Sequence, residues 1–351
     1  MAKTIAEIAE ETGYSRTTIT MVLSGRANEY RISERAQNAI NAYVAEHGYT
    51  INQTARSLKT RQSQTVGFVA PDIANAFFAR VMAHLEEFCR AEGLVLVTTS
   101  SAEDPEVEAR ALSSLVARGV DGLVLAPCTP RPREAARKRA KATPLVLIDR
   151  AWPGDAAPAI ASNHEENARL LTEGIVAAGV EDIAFLCGHP DNPSIGARVT
   201  GFYGAGKASG IDERKLRVLT ARHDSVAAGE SMMEGLLAAD NLPPAILCSS
   251  LLVLEGALRR LKRERGNVPA DLIVGTFDYD GFLELLPNPV IVVRQDEEAL
   301  ARAAFDALRR QMKEGKAEKQ AEKADPPPRK VIAADLMRLG TWNLPHPDEA
   351  V

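Results

Sequence analysis

The sequence predicts an all-α amino-terminal head followed by an α/β core folded as two parallel-sheet lobes. Three observations carry that prediction. Residues 1–50 hold short amphipathic helical patterns and no convincing strand. From Val66 onward, short β-branched runs alternate with helical stretches, the pattern of a parallel α/β architecture. Between them, residues 51–65 are polar and carry Arg56, Lys59 and Arg61 without a single acid, as a linker does.

In the head, Ile5, Ile8 and Ala9 give the first helix one apolar face, and Gly13 permits a tight reversal. Ser15 caps a second helix that turns Ile19 and Val22 inward, and Ser24-Gly25 stops it. A third helix starts at Ser33 and buries Ala36, Ile40 and Val44 before Gly48. Two short helices joined by a tight turn and braced by a third match a helix-turn-helix bundle. In that geometry the second helix enters the major groove amino end first, offering Ser15, Arg16 and Thr17, with Met21 one turn later. Arginine donates two hydrogen bonds to guanine, threonine bonds a base or touches a thymine methyl, and methionine offers only apolar contact. Asn28, Arg31 and Asn52 suit phosphate contacts that position the head. Charge adds little, because residues 1–65 contain eight Lys/Arg and six Asp/Glu. From pattern alone, a plain three-helix bundle stays open.

The core reads as strands at 66–70, 94–98, 122–126, 145–148, 183–187, 245–248, 272–275 and 290–293. Helices fall near 76–91, 105–118, 133–140, 164–178, 197–208, 226–239, 251–265 and 296–314. Several strands are apolar almost throughout, as when helices cover both faces of a sheet. So many strands divide into two sheets, with crossings near 159–163 and 289–296. Lobe 1 is expected over about 66–160 plus 294–325, and lobe 2 over about 161–293 plus 326–340. Two such lobes leave a cleft at the carboxyl ends of their strands.

Composition sets limits on function. The chain has 351 residues, 45% of them hydrophobic, and 42 basic against 47 acidic side chains, a net charge of −5, so it is no basic nucleic-acid coat. No apolar run is long enough to span a membrane, and no signal peptide is seen, so a cytoplasmic protein is expected. The four cysteines are too scattered for a zinc site and read as buried thiols, and the histidines form no metal-ligand motif. Neither a G-x-S-x-G elbow nor a phosphate-cradling G-x-x-x-x-G-K-[ST] occurs. No catalytic residue, metal or cofactor is therefore assigned. Two alternatives remain at this stage: a sugar-processing enzyme using Asp149 and Asp278, and a sugar sensor that does not bind DNA.

The stretch TIAEIAEETGYSRTTITMVLSG, the segment 31–33 and HGYTINQTARSLKTRQSQTVGFVAPD together resemble the head and hinge of the lactose/galactose-repressor family of bacterial transcription regulators. The α/β remainder extends the likeness to nearly the whole chain. SRTT, NEYRIS and LLVLEGALRR look like the fructose-repressor and sucrose-repressor branch. One departure is Met21, where many members have arginine, so the usual operator sequence does not carry over.

The resemblance implies a periplasmic-binding-protein-like core, a homodimer and double-stranded operator DNA as partner. It divides the chain into a head (1–50), a hinge helix and linker (51–65) and an effector-binding and dimerisation domain (66–351). Ala55, Arg56 and Leu58 match the hinge, with Leu58 at the place of the leucine wedged into the minor groove, where one exposed leucine can partly unstack a base step. The effector residues it implies are Asn75, Phe77, Asp149, Arg150, Arg198, Asp278 and Gln295. Ser101, Ser194 and Ser249 add hydroxyl donors. The effector expected for this branch is a fructose-type sugar or sugar phosphate. Ser249-Ser250 replaces the asparagine-aspartate of many relatives, which weakens a simple pyranose reading.

Overall fold

A computed structural model describes residues 3–49, 62–130, 143–155, 157–314 and 329–342. The chain forms two compact units, Met1–Gln64 and Thr65–Val351.

In the first unit, α1 (Ile5–Thr12), α2 (Arg16–Leu23) and α3 (Glu34–His47) enclose Ile8, Ile19, Val22, Ala27 and Ile40. Thr4 and Glu7 close a capping box on α1: the Thr4 hydroxyl accepts from Glu7 N–H, and the Glu7 carboxylate accepts from Thr4 N–H. Gly13 ends α1 at φ 73°, a left-handed turn a side chain would strain, and this reverses the chain within three residues.

The second unit carries two six-stranded sheets with the same layout. Lobe 1 holds β1 (Thr65–Ala70), β2 (Val95–Ser100), β3 (Gly122–Leu125), β4 (Leu145–Ile148), β5 (Ala159–Ser162) and β11 (Arg329–Ile332), in the order β11-β5-β4-β3-β1-β2. Lobe 2 holds β6 (Ile183–Cys187), β7 (Leu216–Thr220), β8 (Ala245–Cys248), β9 (Ile273–Phe277), β10 (Val290–Gln295) and β12 (Ala334–Leu339), in the order β12-β10-β9-β8-β6-β7. All pairings are parallel except β10 with β12. The central strands are buried along their whole length, which is why they read as unbroken apolar runs.

Helices cover both faces. α4 (Ala76–Ala91) and α10 (Glu297–Glu314) pack on one side of the first sheet, where Phe77, Val81, Leu85 and Phe88 meet Leu300, Ala304 and Leu308; α5 (Pro105–Ala117) covers the other. In lobe 2, α6 (His164–Val176) and α7 (Pro193–Ala208) lie against one face, with α8 (Val226–Ala238) and α9 (Leu251–Arg265) on the other. Each helix pair packs backbone to backbone at glycines: a Cβ on Gly201 would lie 2.0 Å from the Glu165 carbonyl oxygen, and one on Gly256 2.0 Å from that of Val226.

Several expectations need correction. Residues 329–332, expected in lobe 2, pair with β5 in the first sheet, so the last crossing falls at Ala333. Residues 159–163, read as a bare crossing, contain β5 before the chain leaves for lobe 2. The strands β7, β11 and β12 were not foreseen, and α7 starts at Pro193 rather than 197, capped by Asn192. Of the four cysteines, Cys89, Cys187 and Cys248 are buried free thiols, whereas Cys128 is half-buried. The expected helix at 133–140 lies outside the described residues.

Candidate effector site and DNA-reading face

Each sheet ends its fourth strand in the same unusual way. Asp149 follows β4 and Asp278 follows β9, with φ of 65° and 68°, in the left-handed region that non-glycine residues seldom occupy. Each backbone N–H is held by the neighbouring strand, Asp149 by the Ile160 carbonyl (2.8 Å) and Asp278 by that of Val293 (2.9 Å). The two lobes thus aim one carboxylate each at the cleft from equivalent positions.

Around them lies a polar cavity of about 30 Å³, lined by Asn75, Phe77, Phe78, Asp149, Arg150, Asn192, Ser194, Ile195, Arg198, Asp224, Ser250, Asp278 and Gln295. That volume admits water and not a sugar ring. Next to it, a chamber of about 570 Å³ falls within the usual range for ligand pockets. Arg150, Asn192, Ile195 and Asp224 line both spaces, and Glu103, Trp152, His189, Arg222 and His223 help wall the chamber.

The side chains hold one another in place. Ser194 donates its hydroxyl to the Asp149 carbonyl oxygen (3.0 Å) and to Oδ2 (3.3 Å). The Arg150 guanidinium forks onto both Glu103 carboxylate oxygens at 2.8 and 2.9 Å, a bidentate pair that fixes its plane. Arg198 stacks over the Phe277 ring, its guanidinium carbon 3.9 Å from the ring centre, and donates to the Ser249 carbonyl. Gln295 donates from Nε2 to Asp278 Oδ1 at 2.7 Å. Asp224 anchors the lobe-2 side by accepting from Gly188 N–H and the Ser249 hydroxyl, both at 2.7 Å.

The two carboxylates differ in electrostatics. Burial opposes ionisation of Asp149, but the His164 hydrogen bond and the charges of Arg150 and Arg198 outweigh it and hold the carboxyl well below its ordinary range. For Asp278 burial wins over the neighbouring Arg198 and the Gln295 hydrogen bond, pushing it up to about 6. Asp149 is therefore a permanent acceptor at neutral pH. Gln295 Oε1, Arg150 Nε and Arg198 Nε are buried without a hydrogen-bond partner, one acceptor and two donors suited to ligand hydroxyls.

Of the residues singled out from sequence, eight line this cavity: Asn75, Phe77, Asp149, Arg150, Ser194, Arg198, Asp278 and Gln295. Asn75 also caps α4 by accepting from Phe77 N–H. Ser101 and Ser249 line neither space: Ser101 is buried at the end of β2, Ser249 spends its hydroxyl on Asp224, and its neighbour Ser250 reaches the cavity instead. Sequence reading overlooked Glu103, Asn192, Asp224 and His164. The signal for Asp224 was a polar turn soon after β7, invisible without that strand; Glu103 sits in the loop between β2 and α5, directly before the cap Asp104.

In the head, Ser15 Oγ accepts from Thr18 N–H at 3.1 Å and so caps α2, while Ile19 and Val22 are buried. Ser15, Arg16 and Thr17 are exposed together at the start of that helix, and Met21 is half-buried one turn on. Asn28 and Arg31 are exposed in the connection to α3, where Arg31 takes a φ of 52° and Asn28 accepts from Gln37. Asn52, Ala55, Arg56 and Leu58 lie outside the described residues. Among the described residues, no group of three His, Cys, Asp or Glu side chains could hold a metal, and no helix is long and apolar enough to cross a membrane.

Comparison with known proteins agrees with this architecture. Residues 66–317 match the periplasmic binding protein domain family. The catabolite repressor/activator of Escherichia coli K12 is 28% identical over 303 residues, covering 86% of this chain and 90% of that protein. The chain belongs to the lactose/galactose-repressor family of bacterial transcription regulators. The Cra dual regulator of Pseudomonas putida, solved with fructose 1-phosphate, superposes with a TM-score of 0.69 at 24% identity, over 79% of this chain and 99% of that one. The Lac repressor dimer bound to operator superposes with a TM-score of 0.77 at 22% identity, over 96% of this chain and 98% of that one. At those identities the two structures speak for the fold.

Proposed function

We propose that this chain is a sequence-specific DNA-binding transcriptional repressor of sugar-metabolism genes, acting as a homodimer whose operator affinity is set by a fructose-type sugar or sugar phosphate in the interlobe cleft. The observation that carries the effector half is the pair of left-handed aspartates, one per lobe, facing a cavity with unspent hydrogen-bonding atoms. An effector that grips both lobes stabilises one interlobe arrangement over another, which is the differential binding that allostery requires. The DNA half rests on the exposed Ser15-Arg16-Thr17 row at the amino end of α2, beside a buried face that fixes its direction. Two copies are needed because paired recognition helices read a two-fold operator. The linker at 51–65 then carries the change in lobe arrangement to the heads. The relatives named above are regulators of transcription, and this family place favours a regulator over an enzyme built on Asp149 and Asp278.

Fructose enters through the Cra structure solved with fructose 1-phosphate and through the branch signature of the sequence. Titration calorimetry of the full chain with fructose, fructose 1-phosphate, fructose 1,6-bisphosphate and sucrose tests the effector. Saturable heat from one of them, abolished by Asp149→Ala, is expected. Absence of heat from all four rejects a fructose-type effector.

A further inference from the structure

His164 is 6% exposed and is the first residue of α6, directly after the chain crosses from β5 of lobe 1 into lobe 2. Its Nε2 lies 3.2 Å from the Asp149 carbonyl oxygen, to which it hydrogen-bonds, and also 3.2 Å from Asp149 Oδ1. Its Nδ1 lies 3.3 Å from Arg198 Nη2. The carbonyl oxygen only accepts, so Nε2 must bear the hydrogen. The guanidinium only donates, so Nδ1 must present its lone pair. One form of the ring satisfies both partners: the neutral Nε2–H tautomer.

We infer that His164 is the positioning residue of the effector site, its Nε2–H tautomer holding Asp149 of lobe 1 and Arg198 of lobe 2 in one register across the crossing. The inference deepens the effector reading above and rests on it. His164 does not line the cavity; both of its partners do. It therefore acts on a ligand only through the residues it holds. Asp149 needs such a hold because its left-handed backbone is costly, and with Ser194 the imidazole supplies two lobe-2 donors to its carbonyl oxygen. Arg198 has one Nη on the Ser249 carbonyl and the other on His164, and its buried Nε has no hydrogen-bond partner. A ring that donates on one side and accepts on the other thereby fixes which atoms of both residues remain for the ligand.

Two variants separate positioning from bulk. His164→Gln keeps an amide donor and a carbonyl acceptor; His164→Leu keeps volume only. With fructose 1-phosphate as the probe in calorimetry on the full chain, the Leu variant is expected to raise Kd about tenfold or more, and the Gln variant to restore it to within about threefold of the wild type. Equal impairment of both variants, or none in either, overturns the inference. Proton–nitrogen correlation of the wild-type imidazoles, with His164 assigned by its loss in the Gln variant, gives a readout that needs no ligand. A pyrrole-type Nε2 with a pyridine-type Nδ1 at neutral pH is expected. The reversed tautomer, or an imidazolium, overturns the inference even if a ligand binds. Failure of the wild type to bind any sugar would instead overturn the effector reading and leave the nitrogen pattern to decide on His164 by itself.

Discussion

Replacing Asp278 with asparagine should make the protein more stable at neutral pH while impairing its cleft. The carboxyl is buried and pushed up to about 6 from an ordinary 3.8. A group whose pKa is raised on folding binds protons more readily in the native state, so its cost to stability is present above the folded value and is relieved as pH falls. At about 1.4 kcal/mol per pKa unit, a rise of roughly two units puts that cost near 3 kcal/mol at pH 8. Asparagine removes the charge and keeps an oxygen to accept from Gln295 Nε2, which lies 2.7 Å from Asp278 Oδ1. For a domain of this size, 3 kcal/mol corresponds to a rise in Tm of roughly 6 °C. Scanning calorimetry of wild type and variant at pH 8, 7, 6 and 5 is the assay. The advantage of the variant should be greatest at pH 8, fall to about half by pH 5 and vanish near pH 3, as the wild-type carboxyl takes up its proton in the folded state and then in the unfolded one. An advantage that did not change between pH 8 and pH 5, or a variant less stable than wild type at pH 8, would refute the reasoning.

Three further outcomes follow from other parts of the molecule. Arg16→Ala removes an exposed side chain from the start of α2, so it should weaken specific operator binding by about 1–3 kcal/mol in fluorescence anisotropy and leave the head's melting unchanged. Gly256→Ala places a Cβ 2.0 Å from the Val226 carbonyl oxygen and forces α8 from α9, costing roughly 1–3 kcal/mol in urea unfolding; wild-type stability would contradict the close helix contact. Glu103→Gln removes the carboxylate from the fork on the buried Arg150 and leaves Asp149 Oδ2, 3.6 Å from Nε, as its nearest anion. A loss of about 2 kcal/mol or more in the same assay is expected, and no loss would show that the pair does not hold Arg150.

The head was legible because its signals are local: Gly13 for the reversal, Ser15 for the cap, and Ile19 and Val22 one helical turn apart. The central strands were legible for a related reason, since LVLI and IAFLC are buried on both faces and leave no polar position to confuse the pattern. The edge strands lacked that signal. β7 reads LRVLT with Arg217 half-buried, and β11 reads RKVI with three of its four residues exposed; each is a strand because a neighbour pairs with it, which composition does not report. β5 is only four residues, AIAS, three of them small, too short and bland to stand out from a loop. In the site, residues directly after apolar strands were found, because a charge at such a place faces the open end of the sheet: Asp149, Arg150 and Asp278. Asn75, Ser194, Arg198 and Gln295 were marked by the family resemblance, whereas Glu103, Asn192, Asp224 and His164, brought to the site by tertiary folding, were not found. His164 looked like one of several isolated histidines, and only the crossing of the chain between lobes sets it between Asp149 and Arg198.

The central claim joins a DNA-reading head to a sugar-sensing cleft in one molecule. Its most direct test starts from a random duplex pool enriched on the full-length protein, followed by anisotropy of the winning duplex as fructose 1-phosphate, fructose 1,6-bisphosphate, fructose or sucrose is added. The account predicts enrichment of a two-fold symmetric sequence whose affinity shifts by about fivefold or more with one of these sugars, the scale of an ordinary allosteric coupling. A pool that yields no common sequence, or a winning duplex whose affinity none of the four sugars alters, would contradict it.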